Sequence, residues 1–160
     1  MVLPALTDDG LSGFENIMDR ANAALADMVA DGALMAEERA RMVLRAYPRR
    51  KCDLLAPFAH GGHFQHLAVE DFEMSALLDS AWTDYERDGN KKSLATKQAL
   101  FFRSVFMPSL ATALDRVRSG ENEALRIFGD RLEAGLKRRL ASQPAAMHSF
   151  VQIIVLARVD

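Results

Sequence analysis

Helical spacing of apolar residues dominates the first third of the sequence. A capping-box pattern, Ser12-x-x-Glu15, precedes this segment, and Gly32 stands where the helix would end. Because the apolar positions recur every three or four residues, they predict one amphipathic helix. Its apolar stripe comprises Phe14, Ile17, Met18, Ala21, Leu25, Met28 and Val29.

Shorter patterns flank this helix. Residues 1–6 predict the end of a buried strand, in which Pro4 limits pairing. Residues 36–44 predict a short helix, which the Tyr-Pro step after it ends because the residue before proline avoids helical geometry. Residues 50–58 predict another short helix. Residues 63–74 predict a strand that is buried on both faces.

The second half continues the alternation of strands and helices. Residues 79–92 are polar and predict a loop, and 94–117 predict a long helix that Pro108 breaks or kinks. Leucines and a phenylalanine over 125–140 form one clean helical stripe. Residues 150–159, FVQIIVLARV, are apolar and β-branched and predict the strongest strand of the chain. The order of elements indicates an α/β fold in one domain.

Composition narrows the function classes without choosing among them. The net charge of −2 gives no reason to expect binding to nucleic acid or to an anionic membrane surface. No apolar run approaches the roughly 20 residues that span a bilayer, and the first residues lack the features of a signal peptide. Cys52 is the single cysteine, so no intrachain disulfide is possible and a reducing, cytoplasmic location is expected.

Few motifs for catalysis stand out. The segment AHGGHFQH holds three of the four histidines, but spacing along a strand sends His63 and His66 to opposite faces, and surface histidines are expected instead of a metal site. The sequence has no nucleophile elbow, P-loop, CxxC or G-x-G-x-x-G motif. Cys52 is predicted to be a small core residue and not a nucleophile.

Aromatic residues and methionines offer a second source of function. Such side chains can line an apolar ligand pocket, although their spacing alone favours a role in the core. The set comprises Met18, Tyr47, Trp82, Phe101, Phe102, Phe106, Met107 and Phe150.

Several segments resemble, in order, the plant-type carboxyl methyltransferases that use S-adenosylmethionine, often called SABATH. MVLPAL (1–6) resembles the strand that closes the cofactor domain, and ALADMVADG (24–32) resembles the cap helix. Tyr47-Pro48, GHFQHLAVE (62–70) and FRSVFMPSL (102–110) resemble the segments that follow in that family. The resemblance covers nearly the whole chain. Met107 and Ser104 depart from it, because the family has Glu and Ala there.

The resemblance implies the C-terminal part of a Rossmann-like methyltransferase. It divides the chain into a closing strand at 1–6, a helical cap over about 12–58, and a strand-helix-helix-strand segment over about 63–160. The strand at 150–159 would be central, antiparallel to its neighbours, and flanked by the first and middle strands. The glycine-rich turn and the acidic ribose partner of the family would lie before Met1, so this chain is expected to be the final half of the enzyme and inactive by itself.

The resemblance also assigns an acceptor pocket for a small aromatic or terpenoid acid. Tyr47 would make the polar contact, and Met18 and Phe102 would pack on the ring. No catalytic or metal-binding residue is expected, and S-adenosylmethionine is not expected to bind tightly to this chain alone. The pocket positions are Leu6, Ile17, Met18, Tyr47, Phe102, Val105 and Phe150.

Two other interpretations stay open. The chain is a stand-alone, non-catalytic α/β module that binds a ligand or itself, or it is an unrelated helical domain. Whether the chain is part of a methyltransferase or a stand-alone module, the strand at 1–6 lacks one neighbour, so the chain is expected to self-associate.

Overall fold

A computed structural model describes residues 1–44, 47–115 and 121–159. The chain divides into two compact units. The sheet unit comprises Met1–Glu15, Tyr47–Asp79 and Met147–Asp160, and the helical unit comprises Asn16–Ala46 and Ser80–Ala146. In chain order the elements are β1 (Val2–Pro4), α1 (Glu15–Ala30), α2 (Ala36–Arg41), α3 (Lys51–Leu55), a 3-10 turn (Ala56–Phe58), β2 (His63–Phe64), β3 (Leu67–Ala76), α4 (Ser80–Asp88), α5 (Lys91–Val105), α6 (Met107–Ala111), α7 (Glu121–Ser142) and β4 (Phe150–Arg158).

The sheet unit contains a four-stranded antiparallel sheet in the order β1-β4-β3-β2. β4 is an inner strand between β1 and β3, which confirms the predicted central position of 150–159. Its β-branched residues suit this place, because an inner strand is flanked on both sides and packs its side chains on the pleated surface. The structure is therefore mixed α/β, and its relation to a Rossmann-like enzyme stays a prediction.

One face of the sheet forms the core of this unit. Phe72 of β3 lies opposite Ile154 of β4, and Ile154 is buried. Gln152 is also fully buried on this face, and its amide donates to the carbonyl of Arg49 at 2.5 Å. The Lys51 ammonium lies 4.9 Å from the centre of the Phe72 ring, so α3 adjoins the same face.

The strand predicted over 63–74 is a hairpin. Gln65 and His66 both have positive φ angles, +48° and +61°, and they join β2 to β3 as a two-residue turn. The prediction of one continuous strand is therefore wrong. His66 lies in the turn, so the argument that placed it on the strand opposite to His63 is wrong as well.

The helical unit has a core between α5 and α7. Leu94 and Phe102 of α5 are buried, as are Leu132, Leu136 and Leu140 of α7, which follow the predicted stripe. Helix α7 spans the predicted range and ends before Pro144. Among the described residues, no helix is both long and apolar enough to cross a bilayer.

The predicted loop over 79–92 is wrong, because residues 80–88 form α4. Helix α4 is stabilised by contacts between side chains, which the polar composition of the segment does not predict. The Trp82 and Tyr85 rings lie 5.1 Å apart, and the Asp84 carboxylate pairs with Arg87 and with Lys97 of α5. The side chain of Asn90 then caps α5 by accepting from the backbone of Ser93, at 3.1 Å.

Other helix boundaries agree with the sequence. The carboxylate of Glu15 accepts from the backbone and hydroxyl of Ser12, so the predicted capping residues do interact at the start of α1. Gly32 follows α1 with a φ of +69°. The predicted break near Pro108 is confirmed, since α5 ends before Phe106 and α6 begins after it. Residues 116 and 117 of that predicted helix lie outside the described residues.

Candidate ligand-binding site

A cavity of about 470 Å³ lies within the helical unit. Helix α1 provides one wall, α2 and the segment after it provide a second, and α5 and α6 close it. Most of its lining is aliphatic or aromatic, as is usual for sites that bind small organic molecules. The lining residues are Met18, Ala21, Asn22, Leu25, Val29, Ala36, Arg39, Ala40, Met42, Leu44, Phe102 and Leu110.

The α2 wall is held by a buried carboxylate. Glu38 is only 8% exposed, and each of its oxygens accepts a backbone hydrogen bond. One bond comes from Met35 at 2.9 Å, and the other comes from Asp115 at 2.8 Å. Arg41 adds a bond to the carbonyl of Ala113 at 3.1 Å. A six-residue helix is unstable alone, so these bonds position α2.

The α5 wall is held by aromatic packing and by a buried amide. Phe102 is 2% exposed, and its ring centre lies 5.3 Å from that of Phe106. Gln98 is buried on the same helix, and its amide donates to the carbonyl of Ala145 at 2.9 Å. The position of Phe102 therefore depends on the packing of the whole helical unit and not on the cavity alone.

An ion-pair network joins α5 to α7. Arg103 contacts Asp130 at 2.8 Å and Glu133 at 2.6 Å, and Lys137 contacts Glu133 at 2.5 Å. The hydrogen bond from Lys137, followed by the bond from Arg103, lowers the pKa of the Glu133 carboxyl. The bonds to Glu133 and Asp130 raise the pKa of the Arg103 guanidinium. Arg103 and Glu133 are thus both charged near neutral pH.

Two of the lining side chains are polar, Asn22 on α1 and Arg39 on α2. Within the described ranges, neither side chain has a hydrogen-bond or ion-pair partner. None of the lining residues is acidic, so the wall carries the charge of one guanidinium. Asn22 stands four residues after Met18 and three before Leu25, so it interrupts the apolar stripe of α1.

The structure brings two of the predicted pocket residues together in this cavity, Met18 and Phe102. Ile17 is buried in α1 but does not line the cavity. Val105, at the end of α5, is half exposed and does not line it either. Three further residues of the set belong to the sheet unit.

Those three residues have different surroundings. Leu6 is half-buried, and its backbone donates to the carbonyl of Arg49 at 2.9 Å. Phe150 is half-buried at the start of β4. Tyr47 is 84% exposed. Their assignment to the acceptor pocket stays a prediction.

Sequence reasoning missed Arg39. An arginine on a short, polar helix is ordinarily a solvated residue, so its residue type and position do not indicate a binding site. Asn22 had a weak signal, since a polar residue within an otherwise apolar helical stripe is unusual. Neither residue belongs to a segment on which the family resemblance rests.

A second concave surface, of about 460 Å³, lies in the sheet unit between α3 and β3. Cys52 is exposed there, so its prediction as a core residue is wrong. It precedes Asp53 on a one-turn helix whose apolar side, at Leu54, turns inward. No group of three or more metal-binding side chains occurs within residues 1–44, 47–115 and 121–159.

No known family model matches the sequence, and no curated protein is significantly similar to it.

Proposed function

We propose that the chain is the acceptor-binding part of an S-adenosylmethionine-dependent methyltransferase that acts on a small carboxylic acid. The observation that carries the proposal is the cavity of the helical unit. It contains Met18 and Phe102, which are far apart in sequence and which the family resemblance assigns to ring packing. The central, antiparallel position of β4 supports the same relation.

The walls suit this chemistry. Methyl transfer to a carboxylate needs no general base, because the attacking oxygen already carries the negative charge. Apolar walls exclude water and hold the acceptor in one orientation, which supplies much of the rate in such reactions. Leu25 of α1 and Phe102 of α5 fit this role as buried apolar groups on two different walls of the cavity.

The cofactor is not expected to be held by this chain. The sequence has no G-x-G segment, and glycines of that kind let a backbone approach a nucleotide closely. The residues present therefore do not fit a cofactor site of the family type, and another part would have to provide it. The same observation favours the alternative function, a non-catalytic module that binds a ligand or itself.

Methyl transfer by the complete gene product tests the proposal. The product is incubated with methyl-labelled S-adenosylmethionine and with aromatic, terpenoid and straight-chain acids, and labelled esters are extracted. We expect ester from an aromatic or terpenoid acid. Absence of ester from every acid, together with binding of such an acid to the chain, would favour the non-catalytic module.

Phe102→Met tests the wall itself, because it keeps an apolar side chain and so spares the core. We expect the KM for the acid to rise about tenfold, which corresponds to roughly 1.4 kcal/mol, while the KM for S-adenosylmethionine stays constant. Leu100→Met, at an exposed position of the same helix, is the matched control. A change in the KM of the cofactor alone would show that Phe102 is wrongly assigned.

A further inference from the structure

The cavity of the helical unit has an unbalanced charge. Ten of its twelve lining side chains are apolar, and the remaining two are the amide of Asn22 and the guanidinium of Arg39. A guanidinium beside an apolar cavity forms strong, two-pronged hydrogen bonds with a carboxylate. The cavity thus combines an apolar body with one anion-binding group.

Arg39 differs from several other arginines of the same unit, and over the residues that the structure describes it is the one arginine that lines the cavity. Arg20 donates to the carbonyl of Gln143 at 2.7 Å, Arg41 donates to that of Ala113, and Arg139 pairs with Asp27. These three arginines fasten elements to one another. Among the described residues Arg39, like Arg131 and Arg138 of α7, has no hydrogen-bond or ion-pair partner. Its side chain is exposed at the cavity, and Glu38, the residue before it, holds its helix in place.

We propose that Arg39 is the counter-ion for the carboxylate of an apolar monocarboxylic acid that binds in this cavity. The acid packs its body against Met18 and Phe102, and the amide of Asn22 supplies a second polar contact. Charge complementarity selects this ligand class over neutral apolar molecules, since an ester offers a guanidinium only uncharged acceptors, and a protonated amine is repelled by it.

This arrangement gives the site a preference between an acid and its methyl ester. Esterification removes the negative charge and makes one of the two carboxylate oxygens a much weaker hydrogen-bond acceptor. The interaction with Arg39 therefore weakens, while the apolar contacts remain. The site would therefore retain the acid and release the ester. That last consequence rests on the proposed function, whereas the binding of the acid does not.

Calorimetry on the 160-residue chain tests the inference with three probes that share one body: cinnamate, cinnamamide and methyl cinnamate. We expect cinnamate to bind about tenfold more tightly than the two neutral probes. Arg39→Gln should weaken cinnamate binding about tenfold and change the neutral probes less than twofold. Arg39→Lys should recover part of the loss, since a lysine keeps the charge but not the planar fork.

Arg131→Gln is the matched control, because Arg131 is an exposed cation on α7 that does not line the cavity. We expect it to leave all three affinities unchanged. Thermal unfolding midpoints of all variants are compared, so that a loss of binding is not a loss of fold. Asn22→Leu should weaken cinnamate less than Arg39→Gln does, because it removes a neutral contact.

Three results would overturn the inference. The first is that cinnamate does not bind to the folded chain. The second is that Arg39→Gln weakens the binding of all three probes equally, and the third is that Arg131→Gln weakens cinnamate binding as much as Arg39→Gln does. Failure of the proposed function is a separate result. If cinnamate binds through Arg39 and the complete gene product forms no ester, the methyltransferase proposal fails and the acid site stands. If esters form and Arg39→Gln leaves the KM of the acid unchanged, the methyltransferase proposal stands and the role of Arg39 as counter-ion fails.

Discussion

Gly13 lies directly against the backbone of His148. The amide of His148 donates to the carbonyl of Gly13 at 3.3 Å, and a Cβ at position 13 would overlap the carbonyl oxygen of His148. Gly13 also has a φ of +83°, which disfavours any side chain. Both constraints act within the sheet unit, where the segment before α1 meets the segment before β4.

Gly13→Ala should therefore destabilise the chain strongly. We expect a loss of about 3 kcal/mol in the free energy of unfolding, because the obstacle is backbone that cannot turn away. Gly32→Ala is the matched control. Gly32 has a similar φ of +69° and open space around it, so only the conformational strain of about 1 kcal/mol is expected. Equal losses in urea titrations of the two variants would show that the contact with His148 is unimportant.

Glu38→Ala should loosen the cavity wall. The change leaves the amides of Met35 and Asp115 without their acceptor, and we expect a loss of about 2 kcal/mol in the free energy of unfolding. Glu37→Ala, at the exposed neighbouring position, should change it by less than about 0.5 kcal/mol. Chemical denaturation measures both variants. Similar values for the two would contradict the role of Glu38 in fastening α2.

Acid should weaken the helical unit through Glu133. Bonds from Lys137 and Arg103 place the folded-state pKa of Glu133 below its ordinary value of 4.5. A depressed carboxyl pKa means that the unfolded chain binds the proton more readily. The network therefore contributes stability above about pH 4.5, and this contribution is lost as the pH falls through the folded-state pKa.

Glu133→Gln measures this contribution. We expect a loss of about 1 kcal/mol at pH 7 and a smaller loss at pH 3, since the wild-type carboxyl takes up a proton as the pH falls through its folded-state pKa. Asp19→Asn, at an exposed carboxyl of the same unit, controls for the general effect of removing a negative charge. Thermal unfolding at both pH values gives the comparison, and a loss that grows on acidification would have the wrong sign for this account.

Self-association should depend on the outer edge of β1. Leu3 and Ala5 direct their backbone groups to β4, so those of Val2 and Pro4 point away from the sheet. Pro4 has no N–H to offer there, which weakens the edge as a template. We expect the mass from light scattering to rise with concentration, and Pro4→Val to increase that rise. Val2→Lys should reduce it.

A mass equal to one chain at every concentration, for both the wild type and Pro4→Val, would contradict this expectation. Val43→Lys, at another exposed valine, is the control for a general gain in solubility. It should leave the association unchanged.

The sequence predicted those elements whose own residues favour them. β4 was predicted because its run of β-branched residues suits an inner strand, and α7 because its leucines form one stripe. α4 was not, since it is stabilised by the contact of Trp82 with Tyr85 and by the pair between Asp84 and Lys97. Such contacts exist only once two elements have packed.

Neither the turn between β2 and β3 nor the polar residue Arg39 of the cavity could be predicted from the sequence. Gln65 and His66 are unusual in a two-residue turn, where asparagine and glycine prevail, so the pattern had no turn signal. The resemblance pointed to Met18 and Phe102, which do share a cavity. Arg39 was missed because it is exposed and unpartnered like any solvated arginine, and only its place beside the cavity, which a sequence does not show, sets it apart.

The place of β4 in the sheet sets an order in time during translation. β4 joins β1 to β3, yet both of those strands leave the ribosome before it does. The β2–β3 hairpin can pair early, but the four-stranded sheet is completed only in a late step, when β4 and its buried Ile154 join β1 to β3. Until then the edges of β1 and β3 that will face β4 are unpaired, and unpaired strand edges make a nascent chain prone to aggregate. A polypeptide that ends before Phe150 would lack the strand that joins β1 to β3, so of this sheet only the short β2–β3 hairpin could pair.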